Sequence, residues 1–229
     1  EKANDFVLYP TTEGQYYTLS ELKEAIKANQ TDKNDTLVVL YAQNKEQQYT
    51  AIEEAKAKGY QVLLLDSPIV SHLIQKLEEK NEKLTFARVD AAPLSKLIQK
   101  DEPILAKHSE EEKNTLKTDI EKVLPKEGYM VQIENLDSDD TPFVINQPEF
   151  MRRMKEMSAT GGGGMFGAFP EMYHVVVNAN SPLADAILAA DEAAKEKLIK
   201  QAFDLARLSQ GLLKGKELSE FVKRNWEIC

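Results

Sequence analysis

The chain has 229 residues, 42% of them hydrophobic and 29% charged, an ordinary globular composition with length for one large domain or two modest ones. Its formal net charge of -9 argues against a nucleic-acid surface, which needs concentrated basic charge. A single cysteine, Cys229, excludes an internal disulfide, and no apolar run is long enough to span a bilayer, so the expectation is a cytoplasmic protein with no membrane partner.

The start, Glu1-Lys2-Ala3, has neither a methionine nor a signal-like region and reads as part of a longer protein. Thr18-Leu19-Ser20-Glu21 offers a Thr-x-x-Glu capping box, after which Leu22, Ala25 and Ile26 share one helical face. The β-branched run 36-TLVVLYA-42 predicts a strand buried on both sides. A helix follows over 48-QYTAIEEAKAKG-59, with Gly59 as its C-cap. A second buried strand is predicted at 61-QVLLLD-66, and Pro68 opens a helix carrying Ile69, Leu73, Ile74 and Leu77. The run 84-LTFARV-89 is a third strand. Strands separated by single helices imply right-handed parallel crossovers, hence a small parallel-sheet α/β sandwich.

The charged stretch 100-KDEPILAKHSEEEKN-114 marks a boundary between domains of residues 1–105 and 106–229. Beyond it a helix is predicted from Glu110 to Leu124, ended by Pro125 and Gly128. The segment 129-YMVQIEN-135 alternates like a half-exposed strand, and short strands follow at 142-PFVI-145 and Tyr173–Val177. From Asn180 onward the pattern is helical, with Ser181-Pro182 as a start signal, a long segment 191–211 and a final one at 216–229. The second domain is therefore expected to be α+β.

Motifs of bond-making chemistry are missing. Histidines 72, 108 and 174 lie far apart and pair with no Cys or His at ligand spacing, so no metal site is expected. The loop 41-YAQNKEQQ-48 has no glycine for a dinucleotide fingerprint, and Gly161–Gly164 is followed by Met165-Phe166 rather than Lys-Ser/Thr. The turn 137-DSDD-140 lacks calcium-loop spacing. An α/β enzyme would gather polar residues at the C-terminal strand ends, where the chain offers Gln43, Asn44, Asp66 and Asp90. A small-molecule enzyme with a helical dimer domain is the alternative that this set leaves open.

Two apolar patterns stand out. At about 100° per residue, Phe150, Met151, Met154 and Met157 occupy an arc of roughly 120°, opposite Arg152, Arg153, Lys155 and Glu156. The arc is either core or an adaptable contact surface. Burial favours the first, whereas polarizable methionine beside a glycine-rich loop carrying Met165, Phe166 and Phe169 favours the second. On the last helices, Leu198, Ala202, Leu205 and Leu208 form one stripe, and Leu218, Phe221, Val222 and Trp226 another. They pack on their own domain or complete a two-fold bundle with a second copy.

At this point the sequence resembles the 90-kDa heat-shock protein chaperones. The run 38-VVLYAQNKEQQYTAIEEAKAKGYQVLLLDSPI-69 resembles the distal part of their middle domain, and 140-DTPFVINQPEFMRRMKEMS-158 and 181-SPLADAI-187 resemble the C-terminal domain of the bacterial, HtpG-type branch. The acidic tail of cytosolic eukaryotic members is absent, in keeping with that branch. The resemblance implies a part of an ATP-dependent stress-response chaperone. Its ATP and magnesium site and catalytic arginine belong to regions unlike anything here, so no catalytic residue and no cofactor are expected in this chain. It further implies a homodimer through Leu198, Ala202, Leu205, Leu208, Leu218, Phe221, Val222 and Trp226. Phe150, Met151, Met154, Met157, Met165 and Phe166 are implied to touch incompletely folded client proteins. Some bacterial members carry a client-contacting tryptophan where this chain has His72, so that second contact is not carried over.

Overall fold

In the computed structural model, which describes residues 7–67, 69–102, 104–137, 140–147, 151–152 and 172–226, the first element is a hairpin that the sequence pattern did not announce. Strands β1 (Tyr9–Pro10) and β2 (Tyr16–Tyr17) pair antiparallel. The turn between them passes through Gly14 at a φ of 84°, in the left-handed region that suits glycine. The hairpin lies along the strand that follows Gln61, through a Thr12 N–H bond of 2.9 Å to the Val62 carbonyl.

Helix α1 (Leu19–Gln30) starts at the predicted capping box: Thr18 Oγ1 accepts from the Glu21 N–H, and Glu21 Oε2 accepts from the Thr18 N–H at 2.8 Å. Then come β3 (Leu37–Ala42), α2 (Tyr49–Ala57), β4 (Val62–Leu64), α3 (Val70–Lys80), β5 (Leu84–Arg88) and a single turn, α4 (Leu94–Leu97). Helix α2 has Lys58 rather than the expected Gly59 as its C-cap, and Gly59 follows one position later at a φ of 74°, where glycine is favoured. The Gly59 N–H bonds the Lys56 carbonyl and the Tyr60 N–H the Ala55 carbonyl, the reciprocal pair of a Schellman ending. Strand β4 is shorter than the predicted 61–66. The Leu65 N–H still bonds the Ala42 carbonyl at 2.8 Å, but the chain then leaves the sheet toward α3. Pro68, expected to open that helix, lies outside the described residues; the N-cap is Ile69.

The sheet runs β4-β3-β5, all parallel, with Leu40 opposite Val62 and Val39 opposite Phe86. As the middle strand, β3 divides its side chains between two cores. Val39 and Tyr41 join Leu22 and Ile26 of α1 and Val70, Ile74 and Leu77 of α3. Val38, Leu40 and Ala42 join Ile52 and Ala55 of α2 with Leu94 and Ile98. Buried Gln30 ties helix to sheet: its Nε2 donates to the Val38 carbonyl (2.9 Å) and its Oε1 accepts from the Gln61 N–H (2.6 Å).

These elements, with Met151 and Arg152, form one of two units; the remaining described residues from Ile104 onward form the other. Here α5 (Glu110–Val123) begins at a Ser109–Glu112 capping box and is followed by β6 (Tyr129–Glu134), β7 (Phe143–Asn146) and β8 (Tyr173–Asn178). Three helices close the chain: α6 (Pro182–Ala189), α7 (Glu192–Ser209) and α8 (Gly215–Trp226). The sheet order is β6-β8-β7, with β8 parallel to β6 and antiparallel to β7. One face, through Val131, Val175, Val177, Phe143 and Ile145, meets Leu116 and Ile120 of α5, Ile187 of α6, and Ile199 and Phe203 of α7. Met130, on the other face, is exposed. Fully buried Asn178 gathers the loop after β6, accepting from the Leu136 N–H and donating to the Asp137 carbonyl. Between α5 and α7, Asp119 receives Lys195 and Lys122, both at 2.9 Å. No helix among the described residues is long and apolar enough to cross a membrane.

Two measurements test this framework. Gln30→Leu strands a buried carbonyl and a part-buried N–H, and urea unfolding of the variant should show a loss of about 2–4 kcal/mol. The hydrogen bond from Lys195 holds the Asp119 carboxyl below its usual value against the opposing effect of burial, with Lys122 assisting. A carboxyl lowered on folding adds stability that is full above its unfolded value, about 3.9, and is lost as pH falls through the folded value. Acid titration of the parent should show this loss, and Asp119→Asn should flatten that part of the curve while lowering stability at neutral pH.

Candidate functional site

The eighteen residues of α7 present apolar side chains in two directions. Ile199, Ala202, Phe203 and Ala206 turn into the core, and Leu198 packs partly against it. Leu205 and Leu208 are left 48% and 40% exposed. Helix α8 shows the same division with less inside: Phe221 is its one buried residue among those described, Leu218 is half-buried, and Val222 and Trp226 are 44% and 75% exposed. Leu218, Val222 and Trp226 follow at i, i+4 and i+8, which places them along one ridge. Of the eight dimer candidates, Ala202 and Phe221 thus face their own unit, and Leu205, Leu208, Val222 and Trp226 face away from it.

Polar groups hold α8 to α7. Arg207 donates to both Glu217 oxygens, at 2.5 Å and 3.3 Å, and Arg224 donates to Asp204 at 2.7 Å. Gln201 donates to Asn225 at 2.8 Å. The Arg207 guanidinium lies 5.5 Å from the Phe203 ring centre, and Phe203 in turn meets Tyr129 edge-on at 5.0 Å, so the contacts run from the sheet to the last helix. The Arg207 hydrogen bond holds the Glu217 carboxyl below the usual range. The apolar stripes dominate the sequence pattern here, and nothing in it singled out these charged residues; Asp204 and Arg207, spaced i, i+3 beside the apolar stripe of an amphipathic helix, were the available signal.

Of the client-contact candidates, Met151 is half-buried, and Phe150, Met154, Met157, Met165 and Phe166 lie outside the described residues. Next to Met151, Arg152 is only 5% exposed and donates to the Tyr41 hydroxyl at 3.0 Å, tying this point of the chain to strand β3 of the first unit.

The strand ends that an enzyme would need are occupied with their own loops. Asp90 Oδ1 accepts from Gln48 Nε2 (2.7 Å) and Arg88 Nε (2.5 Å), while Gln48 Oε1 accepts from the N–H groups of Gln43 and Asn44. Asn44 Oδ1 takes the N–H groups of Glu46 and Gln47. Asp66 and His72 are exposed. His108 meets Asp185 at 2.9 Å, and Lys107, the larger influence, lowers the Asp185 carboxyl from its usual value. Among the described residues no three His, Cys, Asp or Glu side chains come together as a metal site. A groove of about 410 Å³ beside α5 and α7 is lined by Asp119, Lys122, Glu192 and Lys195, whose charges already pair with one another.

No protein-family model matches the chain. Individual proteins do. Chaperone protein HtpG of Bacteroides fragilis is 31% identical over 297 residues, a match that takes in 100% of this chain and 44% of that protein. HtpG of Bacteroides thetaiotaomicron is 30% identical over the same span, and HtpG of Porphyromonas gingivalis is 36% identical over 200 residues, 86% of this chain and 29% of that protein. The chain spans less than half the length of these relatives. With a match of this strength running through both units, the chain belongs to the HtpG family of 90-kDa heat-shock protein chaperones.

Proposed function

We propose that this chain supplies the self-association and client-contact parts of an HtpG-type chaperone, with residues 1–105 as the distal part of its middle domain and 106–229 as its C-terminal dimerisation domain. In this reading the first unit is a small α/β sandwich, and α7 and α8 are half of a helical bundle completed by a second copy. The carrying observation is the outward set of Leu205, Leu208, Val222 and Trp226. Burying a large apolar side chain contributes ~1.5–3 kcal/mol, so leaving four of them wet on two successive helices forgoes several kcal/mol that a self-complementary surface recovers.

Client contact rests on the methionine arc. At about 100° per residue Arg152 falls opposite Phe150, Met151, Met154 and Met157 in the sequence pattern, and Arg152 itself is buried and anchored to Tyr41. That supports an arc directed away from the first unit, where flexible thioethers suit apolar surfaces of varied shape. The same client-contact role is assigned in this reading to Met165 and Phe166. Catalysis with ATP and magnesium belongs, in this reading, to parts of the longer relatives that the chain does not match, and this cytoplasmic piece acts by binding. The enzyme alternative is disfavoured because Asp90 and Asn44 are spent on holding their own loops.

Sedimentation of the purified chain should report a dimer, and Leu205→Glu or Trp226→Glu should give monomers with the circular dichroism of the parent. Met154→Lys should leave the dimer intact while weakening suppression of client aggregation severalfold. Should Met154→Lys unfold the chain, the arc is core and the client assignment fails.

A further inference from the structure

A sheet covered on both faces is still open along its edges, where outward N–H and C=O groups can take up another strand. The sheet of the first unit has two edges, β4 and β5, and the chain closes them by different means. Along β4 it uses main chain: the Thr12 N–H bonds the Val62 carbonyl at 2.9 Å, and Thr11 bridges Leu63 antiparallel. Along the outer side of β5 no further strand lies among the described residues. The Leu37 N–H bonds the Lys83 carbonyl and the Val89 N–H bonds the Tyr41 carbonyl. In a parallel pair this turns the backbone of Thr85 and Ala87 toward β3 and that of Leu84, Phe86 and Arg88 outward.

The end of α3 occupies that outer side. The Asn81 carbonyl accepts from the Leu84 N–H at 3.3 Å. Glu78 reaches further along the strand: its Oε1 accepts from the Phe86 N–H at 2.8 Å and from the Thr85 hydroxyl at 3.1 Å. Phe86 is the middle residue of β5, so the carboxylate stands where the central bond of an added strand would form. An ionised carboxylate only accepts; it satisfies the Phe86 N–H and offers no donor from which a ladder could continue. The segment 84-LTFARV-89 is otherwise suited to pairing with itself, with one charge and neither proline nor glycine. We propose that Glu78 is an edge guard, whose carboxylate denies β5 to the β5 of a second copy. Without it the two strands would add antiparallel about a two-fold axis and join two three-stranded sheets into one of six. A second copy is the occupant argued for because it presents the same charge-poor edge in the same orientation. The inference is independent of assembly through the last helices, since it concerns the other unit and a contact that the parent chain prevents.

The test uses the full chain, with sedimentation velocity over a concentration series and circular dichroism as the control for folding. Glu78→Ala should form species larger than the parent's own at concentrations about tenfold or more below those the parent needs. The comparison holds whether the parent is a monomer or a dimer. Glu78→Gln keeps a carbonyl oxygen within reach of the Phe86 N–H and should behave as the parent. Glu79→Ala loses the same charge at an exposed neighbour and should also behave as the parent, which separates a blocked edge from lowered net repulsion. Amide exchange in the parent needs no variant: Phe86 should exchange about tenfold or more slowly than an unbonded amide, despite its place on an edge. Four results overturn the inference. They are a Glu78→Ala chain that folds and keeps the parent's size, a Glu78→Gln or a Glu79→Ala chain that associates as strongly as Glu78→Ala, and a Phe86 amide that exchanges as though unbonded.

Discussion

Helix α7 has more apolar surface than one sheet can cover, and the C-terminal unit is arranged around that excess. Ile199, Phe203 and Ala206 enter the core where the helix lies along β7 and Phe203 meets Tyr129 of β6, which settles the rotation of the helix. Once that rotation is fixed, Leu205 and Leu208 have nowhere to go but outward. The next helix cannot cover them either, because it keeps only Phe221 inside and adds Val222 and Trp226 to the exposed set. The requirement that a packed helix commit one face to its core thus produces, without any further device, the surface on which the proposed assembly depends.

The two units solve the burial problem differently, and the difference lies in their central strands. β3 is apolar at every position and is covered by α1 and α3 on one side and by α2 and α4 on the other. β8 is equally apolar at Val175–Val177, yet the core that α5, α6 and α7 build takes Val175 and Val177. The first unit therefore covers both faces of its sheet, and Gln48, Asn44 and Asp90 at its strand ends serve their own loops. The second leaves Leu205, Leu208, Val222 and Trp226 exposed on its last two helices.

Much of this could be read from the residues. Thr18 and Glu21 announce α1, a continuous apolar, β-branched run announces β3, and Gly59 announces the end of α2, because each signal acts within one turn or strand. The hairpin at β1 and β2 was not legible: its strands are two residues long, and it is secured by a bond from Thr12 to Val62, fifty residues away. Gln30, Gln48 and Asp90 were illegible as structural residues for the same reason, since their partners are brought close only by the finished sheet. Helical periodicity found the stripes on α7 and α8 but could not say which neighbouring face meets the sheet. That is why Ala202 and Phe221 lie inside while Leu205 and Val222, one turn or less away, lie outside.

The chain contains a single tryptophan, and it is the most exposed member of the outward ridge on α8. An indole in water and an indole against hydrocarbon differ in colour of emission, and here no second indole blurs the signal. The molecule consequently carries its own optical gauge of whether that ridge is wet or covered, built in at the place where the answer matters.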